Sequence, residues 1–244
     1  MCIIMIIKHK LGLLLAIFFV SLLWLCALVY FSPLPAETIS RFPSTLDEIR
    51  ATANTLQEFR DDHFGYVILL FASAYLFKQS FAIPGSVLMN VLGGAVLGLS
   101  RGFALCSLLT AIGASICYCL ARIGGPAVAQ EYFPMRFSNF KQRLAQEKHN
   151  LAYYLLFLRL FPVSPNWAIN MACGALAIPL PIFFVTALVG LMPYNYICVH
   201  AGAIITEIES MNDVYKTSTL IQLTAVSVVA LLPIMLRRRF MAKR

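Results

Sequence analysis

The chain has 244 residues, of which 60% are hydrophobic and only 12% are charged, and its formal net charge at pH 7 is +8. Soluble domains carry about a quarter charged residues, so this composition indicates an integral membrane protein and leaves no room for a separate soluble domain. The positive charge is gathered beside apolar segments, at 8–10, 122–148 and 237–244. That distribution argues against a nucleic-acid partner and marks a cytosolic membrane face.

Five uncharged runs have about the length that a membrane-spanning helix needs, and they cover 11–36, 79–100, 102–121, 160–206 and 217–236. The first run predicts a transmembrane helix over 11–31. Its apolar core exceeds the roughly 7–15 residues of a cleavable signal peptide, which favours an uncleaved anchor over a cleaved signal. A helical apolar pattern over 44–63 predicts an amphipathic helix on the membrane or on the protein, with a solvated linker as the alternative.

Two stretches, 77–93 and 158–174, repeat one pattern at an offset of 81 residues. In each, a cation (Lys78 or Arg159) precedes a proline by six positions, and a glycine follows nine positions later. Proline removes a backbone donor and disfavours helix before it, so each segment should break near Pro84 or Pro165. Freed backbone groups at membrane depth require a protein or water-lined site.

The fold that follows is all-α: a polytopic membrane protein with two opposed re-entrant helical hairpins in an inverted repeat. Pro-kinked spanning helices are the alternative. Full spans are predicted at 102–121, 182–200 and 217–236, with residues 124–126 opening a basic cytosolic connector to residue 150. The domains are an anchor with a lumenal amphipathic segment at 1–64, the repeat at 65–204, and a last helix with a basic tail at 205–244.

Buried cations in apolar segments usually face a cavity or a partner. If the hairpins meet near the midplane, Lys78 and Arg159 could hold a lipid phosphate while neighbouring polar side chains bind the headgroup, these being Gln79, Ser86, Asn90, Asn166 and Asn170. Alternatively, the two cations snorkel to opposite interfaces and anchor the hairpin arms. The residues that shape the loops are Pro84, Gly85, Gly93, Pro162, Pro165 and Gly174. In the later span, Gly190, Pro193, Asn195 and Gly202 widen a path or serve packing.

The sequence offers little for an enzyme, a metal site or a cofactor. Its four histidines are scattered, and no HExxH, GxSxG or P-loop pattern occurs. The seven cysteines are odd in number and contain no CxxC, which favours small packing residues over metal or redox chemistry. No catalytic residue, metal ligand or cofactor is therefore predicted.

Four motifs in this order, at 81–86 (FAIPGS), 93–98, 157–170 (FLRLFPVSPNWAIN) and 190–195 (GLMPYN), resemble the DedA superfamily and its VTT domain, most closely the transmembrane protein 41 branch. The resemblance implies opposed re-entrant loops, residence in the endoplasmic reticulum membrane, and phospholipid scrambling that supports autophagosome formation and lipid mobilisation. By position, the loop arginine of the family would be Arg159, and its Pro-Gly loop Pro84 and Gly85. Bacterial relatives usually carry acidic residues near that loop, whereas this chain has Lys78, Gln79 and Ser86.

The leading hypothesis is thus an energy-independent phospholipid scramblase whose hairpins thin the hydrophobic barrier. One alternative is an ion- or proton-coupled transporter of a lipid-linked or small anionic substrate, which would use a carboxylate in the loops. Another is a non-transporting membrane adaptor that acts through residues 122–148 and the basic tail. Membrane phospholipids are the expected partners, with a homo-oligomer or other membrane proteins as further ones.

Overall fold

The computed structural model describes residues 2–32, 46–132, 134–135, 138–139, 142, 150–160 and 165–207. Most of these residues are helical, and none of them is in a strand. The main helices are α1 (Cys2–Tyr30), α2 (Leu46–Ser80), α3 (Ser86–Tyr132), α4 (Leu151–Leu160), α5 (Asn166–Ala175) and α6 (Leu180–Glu207). The predicted all-α fold is confirmed.

Three stretches of the described chain are long and apolar enough to cross a membrane: His9–Tyr30, Ser86–Pro126 and Leu180–Ile205. They contain the predicted spans at 102–121 and 182–200, and all but the last residue of the one at 11–31. Large apolar side chains such as Leu23 and Trp24 on α1 are exposed, as expected of a helix in contact with lipid. The span predicted at 217–236 and the basic tail lie outside the described residues.

Both predicted helix breaks are confirmed. After α2 the backbone leaves the helix over 81–85, where Pro84 lacks an N–H and Gly85 adopts a φ of 107°. That left-handed conformation suits glycine because it has no Cβ. At the second break, α4 ends at Leu160 and α5 follows Pro165, whose φ and ψ are −59° and 130°. Pro162 lies outside the described residues.

The order of elements after each break is also the same in both halves. A short helix follows, then an interruption, and then a long apolar helix. In the first half the interruption is Gly98 with a φ of 74°, and the helix resumes at residue 99. In the second half a turn through Ala177, with a φ of 54°, leads to α6 at Leu180, again 81 positions later. Insertion of the two hairpins from opposite membrane faces stays a prediction.

The predicted opening of the connector at residues 124–126 is not marked by a break in the helix, and the candidate span ends at Pro126. The helix α3 continues through Pro126 to Tyr132. The glycines before this proline serve packing instead: a Cβ on Gly125 would lie 3.2 Å from the Cβ of Ala175, and one on Gly124 would lie 3.6 Å from Leu14. An apolar helix tolerates an internal proline when its neighbours accommodate the freed backbone group.

The predicted amphipathic helix is the N-terminal part of α2, and its helical geometry is interrupted at His63. It packs on the protein. Ala53 and Leu56 are buried, and the Gln57 amide Nε2 donates a hydrogen bond of 2.5 Å to the carbonyl of Ala95. A buried apolar face with a backbone hydrogen bond explains why this segment is ordered as helix.

The chain packs as two units. The first combines Met1–Ser32, Leu69–Pro84 and Leu108–Leu191. Its core surrounds Tyr118, Leu155 and Phe183, all fully buried. The first helix joins this unit through an aromatic contact in which the ring of Phe18 lies 4.9 Å from that of Phe81.

The second unit combines Pro33–Ile68, Gly85–Ser107 and Met192–Arg244. Within it, two helix segments approach so closely that glycine is required at both contacts. A Cβ on Gly94 would overlap the carbonyl of Val199, and one on Gly202 would overlap the carbonyl of Val91. Small residues at such crossings are typical of helix packing in membranes.

We expect Gly94→Ala to destabilise the protein by about 2–3 kcal/mol, because the added methyl group meets backbone that cannot rotate away. Thermal unfolding in detergent, followed by intrinsic fluorescence, measures the change. The matched control is Gly65→Ala on α2, where a Cβ would meet nothing within 4 Å. That substitution should be neutral or stabilise by roughly 0.5–1 kcal/mol. Equal unfolding temperatures for the two variants would contradict the close approach.

Candidate functional site

Arg159 lies in the last turn of α4, directly before the second helix break, and is buried with only 7% of its surface exposed. The end of a helix is a favourable place for a cation because its last carbonyl groups carry partial negative charge. The break therefore fixes where the guanidinium is presented.

Two asparagines on α5 hold the guanidinium. Its Nη1 donates to Oδ1 of Asn166 at 2.8 Å, and its Nη2 donates to Oδ1 of Asn170 at 3.3 Å. The two asparagines are four residues apart, so one helix face presents both amides. The sequence predicted all three residues as site residues, and the structure brings them together.

The charge of Arg159 has no carboxylate partner within the described residues. Its hydrogen bonds there end on the neutral amides of Asn166 and Asn170, and its Nε is buried without an acceptor. A guanidinium has five N–H donors, so most of its donor capacity remains unused. A buried polar donor without a partner is costly, so its presence calls for an explanation, and binding of a ligand is one.

Two residues that the sequence did not single out as ligands complete the surroundings. The Arg159 Cζ lies 4.7 Å from the centroid of the Phe183 ring, within the range of a cation–π contact. Gly190 leaves room for the arginine, since a Cβ there would lie 2.9 Å from the Arg159 Cβ. Phe183 is one aromatic residue in an apolar helix and gave no signal of its own, whereas Gly190 was noted only as a packing or path residue.

Lys78 occupies the position equivalent to Arg159, in the last turn of α2 before the first break, and is also buried. Gln79 beside it is buried against α3, where a Cβ on Gly113 would lie 2.6 Å from the Gln79 Cβ. The carbonyls of Lys78 and Gln79 accept the N–H groups of Ile83 and Ala82 at 3.0 and 3.4 Å. The hydrogen bonds that place Arg159 do not include Lys78.

Asn90 and Ser86 belong to the second unit. Ser86 begins α3. Asn90 is fully buried, and its Nδ2 donates a hydrogen bond of 2.9 Å to Oδ1 of Asn195. Buried amide groups are usually hydrogen-bonded, and in this structure Asn195 satisfies the Asn90 side chain.

Two of the glycines predicted to shape the loops, Gly93 and Gly174, lie at positions of close backbone approach. A Cβ on Gly174 would overlap the carbonyl of Tyr118, and a Cβ on Gly102 would lie 2.7 Å from the carbonyl of Gly93. Within the described residues, no three His, Cys, Asp or Glu side chains lie close enough to hold a metal ion.

We expect Asn170→Ala to lower the free energy of unfolding by about 1–3 kcal/mol, because it removes the amide of a buried charge-assisted hydrogen bond. Asn166→Ala should cost less, since Asn166 is only partly buried. Thermal unfolding of both variants in detergent measures the difference. The control is Asn54→Ala, at an exposed position on α2. Equal losses at Asn170 and Asn54 would contradict the assigned geometry.

Comparison with known proteins places these features in one family. A model of the VTT domain matches residues 83–204. This range contains the second break and all of the first break except residues 81 and 82. The chain is 34% identical over 199 residues to an uncharacterised membrane protein of Arabidopsis thaliana, covering 82% of this chain and 69% of the relative.

Several of the relatives are named as transmembrane 41 proteins. Identity to the transmembrane protein 41 homolog of Dictyostelium discoideum is 30% over 203 residues, covering 83% of this chain but only 61% of that protein. Identity to transmembrane protein 41B of Homo sapiens is 27% over 203 residues, covering 83% and 70%. No solved structure matches the chain. The chain belongs to the VTT-domain family of the DedA superfamily, in its transmembrane protein 41 branch.

Proposed function

We propose that this protein is an energy-independent phospholipid scramblase of the endoplasmic reticulum membrane. The observation that carries the proposal is the buried guanidinium of Arg159, which sits at a helix break without a carboxylate partner in the described chain. The proposed location, and support of autophagosome formation and lipid mobilisation, rest on membership of the transmembrane protein 41 branch.

A buried charge is unfavourable unless it is paired, so a cation at this depth favours a transient anionic partner. The phosphate that glycerophospholipid headgroups share is such an anion. Its oxygens accept charge-assisted hydrogen bonds from a guanidinium, and arginine presents donors in a planar fork that matches them. The amides of Asn166 and Asn170 would orient that fork.

The surroundings of the break suit a headgroup whose acyl chains stay in lipid. Asn166 is partly buried, and the adjoining Pro165 and Trp167 are exposed, so the polar group lies next to the surface. The outer sides of α4 and α5 are apolar, with exposed Tyr153, Phe157, Leu160 and Met171. Such side chains contact hydrocarbon favourably, so only the headgroup needs a polar path.

The distribution of carboxylates favours passive movement over proton or ion coupling. No Asp or Glu occurs in residues 64–130 or 150–206, which include both breaks and two of the three candidate spans. Proton relays and cation sites inside membranes are usually built on carboxylates. Lipid movement down its own gradient needs no such group.

The decisive experiment is dithionite quenching of fluorescent phospholipid in liposomes that contain purified protein, without ATP or an ion gradient. We expect bleaching to pass well beyond the outer-leaflet half. Arg159→Ala should slow the protein-dependent phase roughly tenfold to hundredfold, the loss expected when charge-assisted hydrogen bonds worth about 1.5–3 kcal/mol are removed. Arg159→Lys should restore part of the rate, because it keeps the charge but not the planar fork.

The matched control is Arg101→Ala, an exposed arginine that should leave the rate unchanged. Thermal unfolding of each variant separates loss of transport from loss of folding. Bleaching that stops at the outer-leaflet half with folded wild-type protein would overturn the scramblase. Repeating the assay with an imposed proton or ion gradient would then distinguish a coupled transporter from an adaptor that moves no lipid.

A further inference from the structure

We infer that Phe183 is a positioning residue for phospholipid headgroups, because its ring holds the guanidinium of Arg159 in a fixed plane without neutralising it. This inference rests on the proposed function. The ring centroid lies 4.7 Å from the Arg159 Cζ, and Phe183 is fully buried. Cation–π attraction is strongest where water is excluded, as it is here.

The position of the ring is itself fixed. The rings of Tyr118 and Phe183 lie 4.9 Å apart at an interplanar angle of 34°, and both residues are fully buried. The Tyr118 hydroxyl donates a hydrogen bond to the carbonyl of Ile178, which anchors the supporting ring to the backbone just before α6. Phe183 therefore has little freedom to turn away from the guanidinium.

The guanidinium is restrained on its edge as well as on its face. Asn166 and Asn170 accept hydrogen bonds from its two Nη atoms, and Gly190 leaves space beside its aliphatic part, where a Cβ would lie 3.3 Å from the Arg159 Cδ. An arginine held in this way does not have to be ordered again when a ligand arrives. Such preorganisation strengthens binding by reducing the conformational freedom lost on association.

An aromatic ring and a carboxylate differ in how many N–H donors and how much charge of the bound guanidinium they leave free for another ligand. A carboxylate would occupy the in-plane N–H donors and cancel the charge. A ring attracts the cation through its quadrupole and accepts no in-plane N–H, so the remaining donors and most of the charge stay available to a phosphate. The choice of phenylalanine at this position thus keeps a buried cation in place while its counter-ion remains exchangeable.

The test replaces Phe183 with phenylalanine analogues carrying one, two or three ring fluorines, introduced by genetic code expansion into the full chain. Fluorination weakens the quadrupole while keeping the ring size nearly constant. We expect the dithionite-detected scrambling rate to fall stepwise with each fluorine, by roughly three- to tenfold over the series. The unfolding temperature should fall only slightly, because the ring keeps its size and its contact with Tyr118 and loses only part of its attraction for the guanidinium.

The matched control is the same series at Phe71, a buried phenylalanine whose ring lies 5.9 Å from that of Tyr75. Scrambling should not respond there. If the wild-type protein scrambles lipid but the rate does not change with the number of fluorines at Phe183, the inference is overturned and the proposed function stands. An equal response at Phe71 also overturns it. A wild-type protein that does not scramble overturns the proposed function and this inference with it.

Discussion

The second half of the fold depends on one constraint: a guanidinium is buried at the end of an apolar helix with no carboxylate beside it in the described chain. Ionised groups in apolar surroundings are stabilised by partners or displaced to water. Arg159 is stabilised by neutral groups, the amide oxygens of Asn166 and Asn170 and the ring of Phe183. These groups lie on two different helices, so α5 and α6 must both be packed against the end of α4 for the charge to be tolerated.

The helix break is what makes that packing achievable. An unbroken helix through Pro165 would carry Asn166 and Asn170 away from Arg159 along the axis, at 1.5 Å per residue. Because α4 ends at Leu160 and α5 begins anew at Asn166, the chain brings both amides back to the arginine. Pro165 thus interrupts the helix, and the polar contacts to Arg159 come from Asn166 and Asn170.

The features predicted from sequence were those with a local physical signature. Pro84 and Pro165 interrupt helices whatever surrounds them, and Arg159 is conspicuous in an apolar run, so the breaks and the buried cation followed directly. Contacts made across the fold have no such signature. Phe183 resembles any core aromatic, and Gly94 reveals its need for glycine only when Val199 is seen against it. Pro126 does not end its helix, whereas Pro84 and Pro165 stand at breaks, and the sequence around these three prolines does not show that difference.

The two halves of the repeat share the helix break and the cation before it, but not the polar residues around that cation. The 81-residue offset relates Lys78 to Arg159 and the first break to the second, yet the positions equivalent to Asn166, Asn170 and Phe183 are Gly85, Met89 and Gly102. None of these three residues has a side chain that accepts a strong hydrogen bond or offers a ring. Lysine is a compact, strongly hydrated charge, whereas arginine is a planar fork. The asparagine and aromatic surroundings of the cation therefore belong to the second copy alone, so the headgroup site that we propose lies at Arg159 and not at the first break.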